Sequence, residues 1–137
     1  MRNIVLDASV VLGAHLPDER NDAAIRLFKE GQDAVFHVPQ IWHVEVGNAL
    51  LMAVRRNRIP VEELVTALRI IEGVDLAVDT MTGQTAWHGT MRLAQKHRLS
   101  LYDSAYLELA ARLGAKLATM DARLAAAAKL EDVALAL

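Results

Sequence analysis

The sequence predicts an α/β fold in which a parallel β-sheet is covered by helices on both faces. Short apolar runs with the character of buried strands alternate along the chain with longer segments whose apolar residues recur at helical spacing. Glycine or proline borders these runs at Pro39, Gly73 and Gly114, as is typical of strand and helix ends. The chain has 137 residues, the length of one domain, so we expect residues 1–137 to form a single unit with a substantial core.

Five apolar runs are predicted as strands. They cover residues 4–6, 34–38, 74–78, 115–118 and 133–135, and the last is the weakest. Continuous apolar runs without alternation are typical of parallel strands that are buried on both faces. The sequence therefore predicts a five-stranded parallel sheet.

Six segments with apolar residues at helical spacing lie between these runs. They cover residues 22–29, 41–56, 61–71, 85–97, 101–113 and 122–130. Pro60 is placed to begin the third of these helices, and Gly114 is placed to end the fifth. The alternation of strand and helix favours helices on both faces of the sheet.

Composition excludes several classes of function. Without cysteine, the protein cannot use disulfides, thiolate catalysis or cysteine-bound zinc, and its five histidines form no HExxH pattern. A net charge of −2 gives no global basic field for nucleic acid, so such a contact needs a local patch or a bound metal. The hydrophobic share of 53% is high, which favours an oligomer interface.

Targeting signals are not expected. Asp7 interrupts the N-terminal apolar run, which therefore makes a poor signal peptide, and no apolar stretch approaches the roughly 18 residues of a membrane helix. We expect a soluble, cytoplasmic protein without a membrane partner.

Two acidic residues follow predicted strands, and they are the first candidates for a functional site. Asp7 ends the first run and Asp121 follows the fourth. Open parallel sheets bind ligands beyond the carboxyl ends of their strands, at the point where the strand order reverses. If the first and fourth strands are neighbours, these two acids meet there. The alternative is that each acid caps the helix that follows it.

Glu45 and Asp103 lie on predicted helices. Glu45 shares a stripe with Ile41, Asn48 and Met52 on a helix that is apolar nearly all round, and burial of a lone carboxylate there favours a cation partner. The alternative is a neutral or hydrogen-bonded glutamate. Asp103 has an alternative of its own, because it stands three residues after Ser100 in the spacing of a capping box.

Four converging carboxylates would suit a hard divalent cation. Mg²⁺ and Mn²⁺ prefer oxygen ligands, and such an ion can activate water and stabilise a reacting phosphodiester. Neither a GxxxxGK[ST] nor a GxGxxG motif is present, which argues against nucleotide binding. Trp42 and Trp87 are interpreted as packing residues. The basic residues Arg55, Arg56 and Arg58 could contact phosphates or remain solvated at a helix end.

Four segments resemble the motifs of PIN-domain nucleases. They are Val-Leu-Asp-Ala-Ser at residues 5–9, Val-Glu-Val-Gly-Asn-Ala-Leu at 44–50, Leu-Tyr-Asp-Ser-Ala-Tyr-Leu-Glu-Leu-Ala at 101–110 and Leu-Ala-Thr-Met-Asp-Ala-Arg-Leu at 117–124. Their order and the chain length most resemble the VapC-type toxin ribonucleases of toxin–antitoxin pairs. The resemblance runs from Asn3 to about Leu130.

The resemblance implies a PIN-like three-layer fold and cleavage of single-stranded or looped RNA that depends on Mg²⁺ or Mn²⁺. It also implies a homodimer and a small antitoxin that blocks the site. The acids of the family correspond to Asp7, Glu45, Asp103 and Asp121. Its supporting hydroxyls correspond to Ser9 and Thr119.

Two other classes of function compete with this interpretation. A phosphatase of the haloacid type would carry a second acid at position 9, where this chain has Ser9. A catalytically silent PIN-fold module that dimerises or binds partners through its apolar helices is the main alternative. The four intact acids favour the nuclease.

Overall fold

A computed structural model describes residues 2–137. The strands are β1 (Arg2–Leu6), β2 (Ala34–Val38), β3 (Leu76–Val78) and β4 (Lys116–Ala118). The helices are α1 (Ala8–His15), α2 (Asp22–Glu30), α3 (Trp42–Arg55), α4 (Val61–Glu72), α5 (Thr82–Thr85), α6 (Met91–His97), α7 (Leu101–Leu113) and α8 (Ala122–Leu130). Short 3₁₀ turns cover Pro17–Glu19 and Gly31–Asp33, and a π-helical segment covers Ala86–Thr90.

The four strands form one parallel sheet in the order β3-β2-β1-β4. The chain therefore fills the sheet from β1 outward in one direction and then returns to place β4 on the other side of β1. Ile4, Val5 and Leu6 are buried at the centre of this sheet, as expected for a strand covered on both faces. The predicted parallel sheet with helices on both faces is confirmed.

The predicted fifth strand is wrong. Within residues 2–137 the segment 133–135 forms a single parallel bridge between Leu135 and Leu117 rather than a strand. Two hydrogen bonds hold it to β4, from Leu117 N–H to the Ala134 carbonyl and from Ala136 N–H to the Leu117 carbonyl, each at 2.9 Å. The segment therefore meets β4 at one residue pair rather than along a ladder.

The helices form two groups. Helix α1 packs against α2 and α3, and α3 packs against α4. In the other group α7 packs directly on β1 and β4 and also contacts α6 and α8. Buried leucines from the sheet and from both groups, such as Leu6, Leu50, Leu107 and Leu124, form a continuous hydrophobic core.

Three helix predictions need correction. The predicted helix at 85–97 is divided by the π-helical segment, where His88 has φ −119° and ψ −105°. Helix α1 was not among the six predicted helices and was anticipated only in the alternative that Asp7 precedes a helix. Helix α3 is buried on one face, through Trp42 and Val46 among others, whereas Val44 is 74% exposed.

Both predicted helix ends are confirmed. Pro60 precedes the first residue of α4, and Gly114 ends α7 in the left-handed region with φ +63°. Among the described residues no helix combines the length and hydropathy that crossing a membrane requires.

Candidate functional site

The carboxyl ends of β1 and β4 lie side by side and place the first two acids. The two strands are adjacent in register, and Asp7 N–H donates to the Ala118 carbonyl at 3.0 Å. β2 lies on the other side of β1, so the strand order reverses between β1 and β4. Asp7 and Asp121 therefore lie at the point where open parallel sheets bind ligands.

Asp7 is a buried carboxylate with two hydroxyl donors. It is 5% exposed, and its Oδ2 accepts hydrogen bonds from Ser9 Oγ at 2.6 Å and from Thr119 Oγ1 at 2.8 Å. Burial raises the pKa of Asp7, the two hydroxyls oppose that rise, and the negative charge of Asp103 adds to it. Among the described residues the Asp7 side chain makes no capping hydrogen bond to α1, so helix capping does not explain it.

Ser9 and Thr119 connect the two strand ends across the site. Ser9 Oγ accepts from Met120 N–H at 3.0 Å, and Thr119 Oγ1 accepts from Asp121 N–H at 3.1 Å. Each hydroxyl therefore receives a backbone donor from the segment after β4 and donates to Asp7. The structure places both predicted supporting residues in contact with Asp7 and leaves Asp7 Oδ1 free of either hydroxyl.

Asp121 caps α8. Its Oδ1 accepts from Arg123 N–H at 2.8 Å and from Leu124 N–H at 3.1 Å, so the capping alternative holds for this residue. The cap does not exclude a second role, because both bonds use the same oxygen. The charge of Asp121 also reaches Asp103 and contributes, after burial, to the raised pKa of that residue.

Glu45 receives a hydrogen bond from a tyrosine that the sequence did not identify as a site residue. The hydroxyl of Tyr106, which is fully buried, donates to Glu45 Oε1 at 2.5 Å. Burial raises the pKa of Glu45, the Tyr106 hydroxyl opposes the rise, and Asp7 and Asp103 add to it. The available signal was the helical spacing of Tyr106 and Asp103 in α7, which places both residues on the same face of the helix.

Asp103 lies in the first turn of α7. Ser100 caps this helix, and its Oγ accepts from Asp103 N–H at 3.0 Å. Among residues 2–137 we find no return hydrogen bond from the Asp103 carboxylate to Ser100 N–H, so the capping box is half formed. Burial and then Asp121 raise the pKa of Asp103, whereas the Ser100 hydroxyl and Arg123 lower it.

The four predicted acids are thus linked by mutual repulsion. Asp7 interacts with Asp103, Glu45 interacts with both, and Asp103 interacts with Asp121. Among residues 2–137 no three Asp, Glu or His side chains are arranged to enclose a metal ion. Mg²⁺ characteristically keeps several waters and binds one or two carboxylates together with substrate phosphates. The all-oxygen donor set fits such an open, hydrated site better than a closed cage.

A further acid at the carboxyl edge of the sheet is neutralised. Asp79 follows β3, and the Arg112 guanidinium donates to its two oxygens at 3.1 and 2.8 Å. Arg112 also donates to Glu108 at 2.8 Å. The acid after the edge strand is therefore part of a structural ion-pair network, which distinguishes it from Asp7.

Basic residues near the site differ from those predicted. Arg58 donates to Asp18 at 2.6 Å and to Glu19 at 2.7 Å, so its charge is already paired. Arg55 and Arg56 are exposed at the far end of α3, about 15 Å along the helix from Glu45. Arg123 was missed as a candidate, although it directly follows the Asp121-Ala122 pair and influences Asp103.

Comparison with known proteins identifies the family. The PIN domain family matches residues 4–130, which is nearly the whole chain. The chain belongs to the PIN domain family, and the predicted resemblance is confirmed.

The individual relatives to which this chain is similar include VapC proteins. The chain is 30% identical over 122 residues to Ribonuclease VapC3 of Pyrobaculum aerophilum, covering 89% of this chain and 92% of the relative. Its fold is similar to that of VapC20 of Mycobacterium tuberculosis, described as a sarcin-ricin loop cleaving toxin, with a TM-score of 0.65, 19% identity and coverage of 90% and 94%. VapBC2 of Rickettsia felis, bound to a DNA fragment from its promoter, matches with a TM-score of 0.67, 14% identity and coverage of 97% and 96%.

We predict that Asp7→Asn changes the pH dependence of stability in EDTA. The folded pKa values of Asp7, Glu45 and Asp103 are raised, so the folded state binds protons more tightly than the unfolded state. Through these three groups wild-type stability should fall as the pH rises above about 4, the ordinary carboxyl pKa, whereas His15 and His37, whose pKa values burial lowers, act in the opposite direction. The variant keeps an oxygen for both hydroxyls but loses the buried charge, so its stability should fall less and match or exceed wild type at pH 7.

Urea unfolding between pH 4 and pH 7 measures this effect. Asp75→Asn is the control, because Asp75 is exposed and outside the site. Parallel pH curves for Asp7→Asn and wild type would contradict the prediction.

Tyr106→Phe should destabilise the protein by about 1.5–3 kcal/mol at pH 7, the range for a hydrogen bond to a charged group. The Tyr106 hydroxyl favours ionised Glu45, so the loss should shrink as the pH falls toward 4. Tyr102→Phe is the matched control, since Tyr102 is exposed on the same helix. Equal unfolding free energies for wild type and Tyr106→Phe would show that the hydrogen bond contributes nothing.

Proposed function

We propose that this protein is a divalent-metal-dependent endoribonuclease that hydrolyses phosphodiester bonds in single-stranded or looped RNA. The observation that carries the proposal is the buried Asp7 carboxylate, held by Ser9 and Thr119 at the β1–β4 switch point and facing the charges of Glu45 and Asp103. Similarity to Ribonuclease VapC3 supports RNA as the substrate. We find no feature that favours the silent interaction module.

The acids would share the work of binding and proton transfer. Asp7 Oδ1, Asp103 and the second oxygen of Asp121 would ligate Mg²⁺ or Mn²⁺ directly, and Glu45 would bind it directly or through water. When bound, the ion supplies Lewis acidity that lowers the pKa of a coordinated water and neutralises charge on the phosphate. Tyr106 occupies Glu45 Oε1, so Oε2 remains to orient that water or accept its proton. Hydrolysis would form a bond between a water oxygen and phosphorus and break the opposite P–O bond, and the leaving ribose oxygen would take a proton from solvent.

Positive charge for the RNA backbone would come from residues around the site. Arg123 is exposed and lies close enough to influence Asp103, so it is placed to contact a phosphate beside the acids. Arg55 and Arg56 are candidates for contacts farther along the RNA. Arg58 is the weakest candidate, because binding RNA would require it to leave Asp18 and Glu19.

We infer two protein partners. Similarity to VapC proteins supports a small antitoxin that blocks the acids. We also propose that the protein acts in the cytoplasm, together with its RNA substrate. Exposed apolar side chains on α3 and α4 support a homodimer. They are Val44, Leu51, Val61, Val65, Leu68 and Ile70. A groove of about 430 Å³ beside them, lined in part by Trp42 and Ile71, would receive apolar side chains of the second copy.

Wild-type protein should cleave unstructured RNA in Mn²⁺ and not in EDTA. Asp7→Asn and Asp103→Asn should each lower the rate at least a hundredfold, because the charge that binds the ion is reduced while the fold remains. Time courses on an end-labelled RNA measure this, with Asp75→Asn as the control. Full activity in EDTA, or in either site variant, would contradict the proposed function.

The protein should have twice its chain mass of 15.0 kDa in solution. Val65→Lys should shift the mass toward the monomer, because it places a charge in the apolar surface of α4. The control is Leu130→Lys on α8, since Leu130 is also exposed but lies outside that surface. Light scattering at micromolar concentration gives the masses, and a monomeric wild type would refute the dimer.

A further inference from the structure

A small apolar cavity lies beside the acids at the same edge of the sheet. Its volume is about 100 Å³. Ile41 at the start of α3, Ala86 of the π-helical segment, and Leu101 and Ala105 of α7 line it, and Tyr102 also contributes to its wall. The Tyr102 side chain is 63% exposed. We propose that this cavity receives one base of the RNA substrate, which stacks on Tyr102.

The cavity is positioned to act together with the acids. Ile41 precedes Glu45 by one helical turn, which corresponds to about 6 Å along α3. Tyr102 directly precedes Asp103 in the first turn of α7. The cavity and the acid cluster therefore share helices α3 and α7, and a nucleotide next to the scissile phosphate could place its base in the cavity.

Aromatic exposure supports a base rather than a protein side chain as the occupant. Of the chain's two Trp, two Tyr and two Phe, the strongly exposed members are Tyr102 and Trp87. Trp87 is 81% exposed and follows Ala86 of the cavity wall, which corrects its interpretation as a packing residue. Both exposed aromatic residues thus belong to segments that line one cavity. Exposed aromatic side chains that border a cleavage site are typical stacking platforms for single-stranded nucleic acid.

The cavity chemistry also indicates what kind of recognition to expect. Its walls are chiefly aliphatic and aromatic, and the hydroxyl of Thr82, which also borders it, already accepts from Gln40 N–H at 3.0 Å. Thr90 is buried, and its hydroxyl lies 3.5 Å from that of Thr85. Few polar groups are therefore available to read the hydrogen-bonding edge of a base. Stacking should favour unpaired RNA over duplex without strong preference for one base.

The test measures binding of a short single-stranded RNA in EDTA, so that it does not depend on cleavage. One nucleotide at a time is replaced by an abasic residue. For wild type, the abasic residue at one position should weaken binding about tenfold, the loss of one stacked base. Tyr102→Ala should weaken binding of the intact RNA by a similar factor and should no longer respond to the abasic residue at that position. Tyr102→Phe should behave as wild type.

A second variant distinguishes loss of the cavity from indirect effects of removing Tyr102. Ala86→Leu fills the cavity and keeps Tyr102, and it should reproduce the tenfold loss. The inference rests on the proposed function, but the two fail differently. If the wild-type protein shows this binding pattern but does not cleave RNA, the proposed nuclease activity is contradicted and the base-binding role of the cavity is retained. The base-binding role of the cavity would be overturned if no abasic position weakened binding to wild type, or if Tyr102→Ala bound RNA as tightly as wild type. The second result would hold even if Tyr102→Ala lost affinity for a protein partner.

Discussion

Burial of the Asp7 charge is the constraint on which the rest of the site depends. An ionised carboxylate at the end of a central strand is costly unless donors or a cation compensate it. Ser9 and Thr119 supply two hydrogen bonds that lower the pKa of Asp7, yet burial keeps that pKa raised and the nearby charge of Asp103 adds to the rise. The hydroxyls thus orient the carboxylate without neutralising it. A cation that binds here would meet a carboxylate whose orientation is already fixed and whose negative charge is not neutralised.

The acids of this site also stabilise the local fold to different degrees. Asp121 caps α8 with one oxygen, and Asp79 forms an ion pair with Arg112. Among the described residues the Asp7 carboxylate makes neither a helix-capping bond nor an ion pair, and it accepts instead from the Ser9 and Thr119 hydroxyls. Helix capping and ion pairing therefore give Asp121 and Asp79 a structural role that Asp7 does not have. Glu45 falls between them, since Tyr106 satisfies one of its oxygens.

The sequence predicted the parts of the fold that local patterns encode. Apolar runs located β1 and β2 closely. Pro60 marked a helix start because its φ is restricted, and Gly114 marked a helix end because glycine adopts a positive φ readily. The four acids were found from their places after strands and on helices, together with the family motifs. The strand order that brings Asp7 to the end of β4 was a condition of that prediction, and the β1–β4 pairing satisfies it.

Features that depend on distant contacts were not predictable in the same way. The bond between Tyr106 and Glu45 joins residues 61 positions apart, and nothing local to either residue specifies it. Trp87 was expected to pack, but the π-helical segment turns it to solvent. The apolar character of residues 133–135 indicated a strand, but the segment pairs with β4 only through Leu135 and Leu117, and a local pattern does not specify that pairing.

Thermal unfolding with and without saturating Mn²⁺ tests most directly whether Asp7 anchors a cation site. Selective binding to the folded state should raise the wild-type melting temperature, with about 2.7 kcal/mol of stabilisation at a hundred times the Kd. Asp7→Asn should melt at or above metal-free wild type and lose most of the response to Mn²⁺, whereas Asp75→Asn should respond in full. A wild type whose melting temperature ignores saturating Mn²⁺, or an Asp7→Asn variant that responds as wild type does, would contradict a cation site at Asp7.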